Sequence, residues 1–338
     1  MDRCSILDCT LRDGGYITDW YFGEDTIRNV IKGLSLANLD YVECGYLNPS
    51  ETKKGMAVFH DIEMIGDYFP NINKKPFMLA MADCAQILPE QITPYTGKSI
   101  EGIRVVFYKH QIKEALELCR SVKKQGYKLF VQPMVTIDYS YKEYGELIDR
   151  IRELEPYGVS IVDSFGYMDK KDFQDYFKLL DDKLERNTAI GFHSHNNMQL
   201  AFITAQDVLD YKTERQIVID ASLLGMGRGA GNLNTELITN YYNRLLGTKY
   251  DIRKIMEVIS SEIMPIAKKH TWGYSPYLFL TGIYHCHPNF ACYLLENHEV
   301  TVEEFEEFVK FIPGEMLTKC RRPYVEKLYE EFRRAYGE

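Results

Sequence analysis

Short apolar runs alternate with longer amphipathic segments from residue 4 to about residue 247. Near-continuous apolar character is typical of parallel strands that are buried on both faces. The eight runs, rich in Val, Ile, Leu, Phe and Cys, are Ser5–Cys9, Asp40–Cys44, Pro76–Met81, Gly102–Phe107, Lys128–Val135, Ser160–Asp163, Ala189–His193 and Gln216–Ala221.

The intervening segments carry apolar residues at helical spacing, and the segment around Ala85–Gln91 has the weakest pattern. The clearest are Glu24–Ala37, Ile112–Gln125, Tyr141–Glu155, Lys170–Leu180, Gln199–Tyr211 and Thr235–Leu246. Eight strands alternating with eight helices predict an α/β protein of the closed (β/α)8 TIM-barrel type, in preference to an open doubly wound sheet.

The alternation stops after Gly247. Residues 251–264, 302–312 and 322–336 have helical patterns, and the stretch between them is rich in aromatic residues and His. We therefore expect two parts, a catalytic barrel over residues 1–247 and a helical C-terminal extension over residues 248–338 that packs on it.

Composition narrows the class of protein. Of the 338 residues, 45% are hydrophobic and 26% are charged, which is ordinary for a globular protein. The net charge is −9, and no Lys/Arg-rich stripe points to nucleic acid. No apolar run reaches the roughly 18 residues of a membrane span. With no signal-peptide pattern and eight scattered cysteines lacking CxxC spacing, we expect a cytoplasmic protein.

Polar residues follow several of the predicted strands. In a (β/α)8 barrel the active site lies at the carboxyl ends of the strands, so these residues should converge on one face. They are Arg12-Asp13 after strand 1, Glu43 near the end of strand 2, Asp163-Ser164 after strand 6, His193-Ser194-His195-Asn196 after strand 7 and Asn232 after strand 8.

His193 and His195 are two residues apart, so both imidazoles project the same way from a strand. With one carboxylate they form a set suited to a divalent metal that keeps open positions. The alternative is that HSHNN is only a polar loop. The strand-end position and the Arg-Asp pair at strand 1 favour the metal site.

Arg12 and Asp13 should point in different directions on a regular strand, but Gly14-Gly15 signals a turn that rotates Asp13 toward the metal. Glu43 is a carboxylate within an apolar run, and Arg12 is its natural partner. A structural ion pair is the alternative in both cases.

The sequence GMGRGAGN, residues 225–232, forms a glycine loop that lets the backbone approach a ligand closely or merely satisfies positive φ angles. It is not a dinucleotide fingerprint, since no ribose-binding acid follows at the required distance. Asp163, Ser164 and Gly229 are expected to contact substrate, with Asp163 positioning its neighbours. The aromatic and His cluster at residues 274–287 favours packing over catalysis.

Five segments together resemble the pyruvate-aldolase/acyl-lyase superfamily of metal-dependent barrels, which includes 4-hydroxy-2-oxovalerate aldolase, 3-hydroxy-3-methylglutaryl-CoA lyase and the isopropylmalate and homocitrate synthases. They occur in family order and cover most of residues 1–247. They are LDCTLRDGG at 7–15, YVECGY at 41–46, IVDSFGYM at 161–168, GFHSHNNMQLA at 191–201 and DASLLGMGRGAGNLNTE at 220–236.

The resemblance implies a role for each matching residue. Asp13, His193 and His195 match the metal ligands, and Asn232 matches a residue that contacts the metal in some members. Arg12 matches the arginine that stabilises the enolate oxygen, and Glu43 matches the acid that holds this arginine. The implied reaction is aldol cleavage or formation of a 4-hydroxy-2-oxo acid through a pyruvate enolate. The metal is Mg²⁺ or Mn²⁺, and two imidazoles lean toward Mn²⁺ or a later metal.

Tyr16 occupies the position of the histidine that is the base in the aldolase branch. A phenol is a weak base at neutral pH, so a metal-bound hydroxide or a histidine such as His285 is an alternative. The C-terminal extension does not match the branch's partner-docking domain, and the sequence therefore does not support a channelling partner dehydrogenase.

The small-molecule partner is expected to be a 2-oxo acid, and a homo-oligomer is compatible with the sequence. Two other functions stay open. One is an acyl-CoA-dependent lyase or synthase of the same superfamily, although about 90 extra residues leave little room for a regulatory domain. The other is a barrel without catalysis that serves as a binding or scaffold subunit; the retained ligand set argues against it.

Overall fold

Eight parallel strands close into a barrel in the computed structural model, which describes residues 3–50, 52–73, 75–211 and 213–336. β1 pairs with both β9 and β2, and this closes the ring. The two-residue β3 pairs with β2 beside the ring. The strands are β1 (Cys4–Asp8), β2 (Tyr41–Leu47), β3 (Val58–Phe59), β4 (Phe77–Asp83), β5 (Gly102–Phe107), β6 (Lys128–Pro133), β7 (Gly158–Asp163), β8 (Ala189–Ser194) and β9 (Ile217–Ala221). The predicted (β/α)8 barrel is confirmed.

Helices surround this barrel, but less completely than the sequence predicted. They are α1 (Thr10–Asp13), α2 (Gly15–Thr18), α3 (Glu24–Leu36), α4 (Ile112–Lys124), α5 (Tyr141–Arg152), α6 (Lys170–Lys183), α7 (Ala201–Asp210) and α8 (Thr235–Leu246). In the described part of the crossovers after β2 and β4, only 3₁₀ turns occur, at Ile62–Tyr68 and Pro89–Gln91. Prolines at 70, 76, 89 and 94 lack the N–H that a regular helix requires. The expectation of eight barrel helices is therefore wrong at two positions.

Two predicted strand ends also differ from the structure. β1 ends at Asp8, because its carboxylate accepts the backbone N–H of Thr10 at 2.9 Å and turns the chain into α1. Arg12 and Asp13 thus belong to one helical turn and do not end the strand. β2 continues to Leu47, so Glu43 lies in its middle, inside the barrel.

The region after α8 is helical throughout most of its described length. α9 (Ile252–Val258) continues through a π-helical turn (Ile259–Ile263) into α10 (Met264–Ala267), and α9 packs against α3. The later helices are α11 (Pro276–Ile283), α12 (Asn289–Asn297), α13 (Val302–Phe311) and α14 (Arg322–Tyr336), with a 3₁₀ turn at Gly314–Met316.

Two apolar clusters organise this region. Ile255, Val258 and Ile263 join the main core outside the barrel strands. Residues from Leu278 to Phe332 form a second cluster of their own, which also includes Ala230 of the glycine loop. The division at residue 247 stays a prediction. No described helix is both long and apolar enough to cross a lipid bilayer.

Replacing a mid-helix glycine with alanine should lower the free energy of unfolding at the α3–α9 contact and raise it at a helix position with more space. A Cβ at Gly33 of α3 would collide with Val258 of α9. A Cβ at Gly145 of α5 would meet the flexible end of Lys183 at 3.2 Å and make an ordinary contact with Leu179 at 3.8 Å. Gly33→Ala should lower the free energy of unfolding by about 1–3 kcal/mol through overpacking. The matched control Gly145→Ala should raise it by up to about 1 kcal/mol, because alanine favours helix.

Denaturant unfolding of both variants measures this difference. A Gly33→Ala protein that is as stable as Gly145→Ala would show that α9 is not packed on α3 in solution.

Candidate active site

A small cavity opens at the carboxyl ends of the barrel strands. Its enclosed volume is about 30 Å³. The charged and aromatic residues that line it include Arg12, Asp13, Tyr16, His193, His195 and Arg228. Most of an acyl-CoA would have to lie outside this cavity.

Asp13, His193 and His195 form the floor of the cavity. Each offers one ligand atom, and these three atoms all lie within 4.8 Å of one another. All three side chains are buried. Helix α1 supplies the carboxylate, β8 supplies His193, and His195 follows β8 directly. Two imidazoles and a carboxylate on one face are a donor set that divalent transition metals accept.

The orientation of both imidazoles is fixed by hydrogen bonds on their far side. Nδ1 of His193 donates to Oδ2 of Asp220 at 3.0 Å, and Nδ1 of His195 donates to the carbonyl oxygen of Arg228 at 3.1 Å. Because each proton is then on Nδ1, the Nε2 lone pairs are free beside Asp13. Metal-binding histidines are held by such partners in the same way.

The protonation states also suit a metal. Burial lowers the pKa of His195 to about 3, so this imidazole is neutral over the physiological range. Burial alone would raise the pKa of Asp13, but Arg12 and the two imidazoles hold it below its usual value. A neutral imidazole and an ionised carboxylate are the forms that bind metal ions.

Asn232 and Gly227 complete the cluster from the glycine loop. Nδ2 of Asn232 donates to Oδ2 of Asp13 at 2.6 Å, while its Oδ1 is buried without a hydrogen-bond partner among the described residues. A Cβ at Gly227 would collide with the Asn232 amide and the Asp13 carboxylate. The glycine permits this close approach, and the unpaired oxygen offers a further ligand to a hard cation. The residues present thus fit a divalent metal.

A chain of buried charges connects this floor to the barrel interior. Nε of Arg12 donates to Oε2 of Glu43 at 2.7 Å, and Nη1 of Arg104 donates to the same oxygen at 3.1 Å. Arg104 also pairs with Asp220, the residue that orients His193. Every link is at least nine-tenths buried. Removing one partner from such a chain leaves an uncompensated buried charge.

The structure brings Tyr16 and Ser164 to the cavity. Tyr16 is 38% exposed at the mouth, and its hydroxyl lies 3.3 Å from that of Tyr46. Ser164 lines the wall, and its hydroxyl accepts the backbone N–H of Val135 at 2.9 Å. Both lie where a substrate can touch them.

Asp163 and His285 are not brought to the cavity wall. The Asp163 carboxylate accepts the backbone N–H groups of Tyr167 and Met168, so it shapes the loop after β7. Burial raises its pKa to about 7. His285 is exposed and stacks on the ring of Tyr167, with the ring centroids 4.2 Å apart.

Gly229 lies in the glycine loop with φ of +64°, packed near Pro288. Gly225 and Gly231 also have positive φ, so three of the four loop glycines serve conformation and Gly227 serves close approach. Gly227 approaches protein side chains, so the ligand role of this loop stays a prediction.

Sequence reasoning missed four residues near the site. Arg104 and Asp220 carry charges inside the apolar runs GIRVVF and IVID. A charge within an apolar run is the same signal that indicates a role for Glu43. Arg228 is a cation between two glycines of the loop. His287 is buried, and Arg228 and His195 add to the effect of burial in lowering its pKa. No periodic pattern distinguishes it from its neighbour His285.

Comparison with known proteins agrees with this geometry. A sequence model of the HMGL-like family matches residues 3–261. The chain belongs to the HMGL-like family. It is 27% identical over 286 residues to a 4-hydroxy-2-oxovalerate aldolase from Geobacillus genomosp. 3, which covers 77% of each chain. It is 21% identical over 284 residues to an oxaloacetate decarboxylase from Mycobacterium tuberculosis (strain ATCC 25618 / H37Rv), which covers 82% of each.

Among solved structures, the chain resembles the N-terminal domain of a putative aldolase from Bacteroides vulgatus. The TM-score is 0.74 at 25% sequence identity, and the match covers 89% of this chain and 98% of that one. The predicted membership of the aldolase/acyl-lyase superfamily and the prediction of a carbon–carbon lyase are confirmed.

The cluster predicts a specific loss of metal. The double variant His193→Ala/His195→Ala should lose bound divalent ion, because it removes two of the three ligand side chains. The control His285→Ala should retain it, since that ring stacks outside the cavity. Elemental analysis after dialysis against Mn²⁺ measures both, and equal metal content in the two proteins would refute the ligand assignment.

Proposed function

We propose that this protein is a divalent-metal-dependent aldolase that cleaves or forms a carbon–carbon bond in a 4-hydroxy-2-oxo acid. On cleavage, the bonding electrons would remain on the 2-oxo acid fragment as the enolate of pyruvate. The observation that carries the proposal is the cavity floor, where two free Nε2 atoms and the Asp13 carboxylate lie beside the Arg12 guanidinium. The similarity to 4-hydroxy-2-oxovalerate aldolases supports it.

Asp13, His193 and His195 would hold the cation, with Oδ1 of Asn232 as a further oxygen ligand. When bound, a divalent cation supplies a Lewis acid that polarises a carbonyl oxygen. Mg²⁺ and Mn²⁺ are the proposed ions, and the two imidazoles favour Mn²⁺.

Arg12 would stabilise the enolate oxygen. Its Nε is held by Glu43 and its Nη1 by Asp13 at 2.5 Å, yet its guanidinium still lines the cavity. A cation held in place before the reaction loses no energy to reorganisation when negative charge develops. Glu43, which is fully buried, acts as a positioning residue for Arg12.

We assign proton transfer at the substrate's 4-hydroxyl to Tyr16, whose hydroxyl lies at the cavity mouth. His285 lies outside the wall. His287 is buried, but its Nδ1 accepts the backbone N–H of Asn289 at 3.1 Å. The neutral ring then carries its proton on Nε2, which makes it a hydrogen-bond donor and a poor base.

A second candidate reaction is decarboxylation of a 2-oxo acid with a carboxylate on C3. Loss of CO₂ breaks the C3–C4 bond and leaves the same enolate, but no hydroxyl proton has to be removed. Tyr16 in place of a histidine favours this reaction, and so does the similarity to an oxaloacetate decarboxylase.

Enolate formation predicts exchange of the pyruvate methyl protons. In D₂O, the metal-loaded protein should incorporate deuterium into pyruvate, and Arg12→Ala should slow this by about 10²–10³-fold, the usual effect of losing one oxyanion-stabilising donor. NMR of the methyl signal measures the rate. Arg120→Ala, which removes an exposed arginine of α4, is the control.

Arg12 is part of the buried charge chain, so replacing it with alanine also lowers the stability of the fold. Arg12→Lys, which keeps the charge, and thermal melts of both variants should therefore accompany the measurement. Undiminished exchange in a folded Arg12→Ala protein would refute the enolate role. If the wild-type protein gives no exchange but releases acetyl-CoA from an acyl-CoA substrate, the acyl-CoA alternative is correct. If it catalyses neither reaction with a broad panel, the scaffold alternative gains support.

Tyr16→Phe separates the two candidate reactions. If Tyr16 transfers the hydroxyl proton, this variant should lower the rate of 4-hydroxy-2-oxo acid cleavage by about 10²–10⁴-fold. Oxaloacetate decarboxylation, measured on the same preparation, should persist. The control is Tyr21→Phe, since Tyr21 is 58% exposed and is not part of the cavity wall. Equal loss of both reactions would contradict the assigned role.

A further inference from the structure

Arg228 is the one guanidinium of the cavity wall that lacks a carboxylate partner. Arg12 contacts Asp13 and Glu43, and Arg104 behind the wall contacts Glu43 and Asp220. Among the described residues, no Asp or Glu forms an ion pair with Arg228, although the more distant Asp13 carboxylate attracts it electrostatically. The Nε of Arg228 is buried without a hydrogen bond. Arg228 is only partly exposed, and a partly buried cation normally has a partner, so the missing carboxylate points to an anionic ligand.

Aromatic side chains surround this cation. The guanidinium carbon lies 5.1 Å from the centroid of the Tyr16 ring, and the guanidinium also hydrogen-bonds to Tyr108. Burial raises the pKa of Tyr108, and the charge and hydrogen bond of Arg228 oppose this rise. The Tyr16 ring, in turn, lies edge-on to Trp20 at 4.7 Å. These contacts orient the planar guanidinium but do not neutralise it, so it remains available to a carboxylate or phosphate.

The backbone fixes Arg228 relative to the metal cluster. Its carbonyl oxygen accepts a hydrogen bond from Nδ1 of His195 and another from the N–H of Gly231, each at 3.1 Å. The backbone of Arg228 is therefore held beside the cavity floor. Its side chain extends to the wall next to Tyr16, at the mouth of the cavity. Arg12 and Arg228 thus provide two separate cations, one at the floor and one toward the mouth.

We propose that Arg228 is a specificity-determining residue that binds a second anionic group, a carboxylate or a phosphate, on the part of the substrate remote from the 2-oxo acid. This inference rests on the proposed function, in which the floor takes the 2-oxo acid end. The natural substrate class is then a 2-oxo acid with a further negative group, and a neutral hydrocarbon tail is disfavoured. A chain whose net charge is −9 needs such a local cation to attract a dianion.

Ligand affinity tests the proposal without requiring turnover. Isothermal titration of the Mn²⁺-loaded protein would compare 2-oxoglutarate with 2-oxopentanoate, which has the same carbon chain but no second carboxylate. The wild-type protein should prefer 2-oxoglutarate, and Arg228→Gln should reduce this preference by about 10–100-fold, as expected for hydrogen bonds to a charged group. Titration with 2-oxo-4-phosphonobutanoate distinguishes phosphate from carboxylate recognition.

Two further variants keep the result interpretable. Arg228→Lys keeps the charge and should retain part of the preference. Lys109→Gln removes a cation that pairs with Glu143 on the surface, and it should leave the preference unchanged. Thermal melts establish that each variant is folded.

The proposal is overturned if wild-type protein shows no preference for the dianions, or if Arg228→Gln preserves it. It is also overturned if Arg228→Gln weakens both five-carbon ligands equally, since Arg228 would then hold the 2-oxo acid end. Absence of deuterium exchange into pyruvate, with the dianion preference intact, would instead refute the aldolase reaction and leave the Arg228 subsite standing.

Discussion

The buried chain of charges from Arg12 through Glu43, Arg104 and Asp220 to His193 is the constraint on which the site depends. A buried charge needs a partner, and removing one member of a buried pair costs about 3–5 kcal/mol. The chain therefore fixes the rotamer of Arg12 and the tautomer of His193 together. The same side chains that fill the upper barrel interior thus hold the cavity floor in one geometry.

The residues of the cavity floor come from short segments at one end of the barrel. α1 brings Arg12 and Asp13 over the end of the barrel, and β8 carries His193. The glycine loop then returns over both, where Gly227 allows Asn232 to reach the Asp13 carboxylate. The proposed enolate chemistry requires positive charge that is in place before the reaction, and a side chain held by fixed contacts, such as Arg12, provides it.

The sequence predicted the barrel and the residues of its floor because both leave periodic or local signals. Apolar runs identify buried strands, and HSH spacing places two imidazoles on one side of a strand end. Two departures from the prediction have local causes. Asp8 accepts the N–H of Thr10 and starts the helical turn at Arg12–Asp13, and prolines interrupt the crossovers after β2 and β4. The position of His285 outside the wall depends instead on contacts between distant segments, because it follows from how the C-terminal helices pack.

Asp13, His193 and His195 are proposed to hold a divalent cation beside Arg12. Anomalous diffraction from crystals grown with Mn²⁺ and pyruvate tests this most directly. The structure predicts one strong peak within bonding distance of the Asp13 carboxylate and of Nε2 of both histidines, with pyruvate density between that peak and Arg12. Absence of a peak at these side chains, or a Mn²⁺ ion bound at another set of residues, would contradict the account.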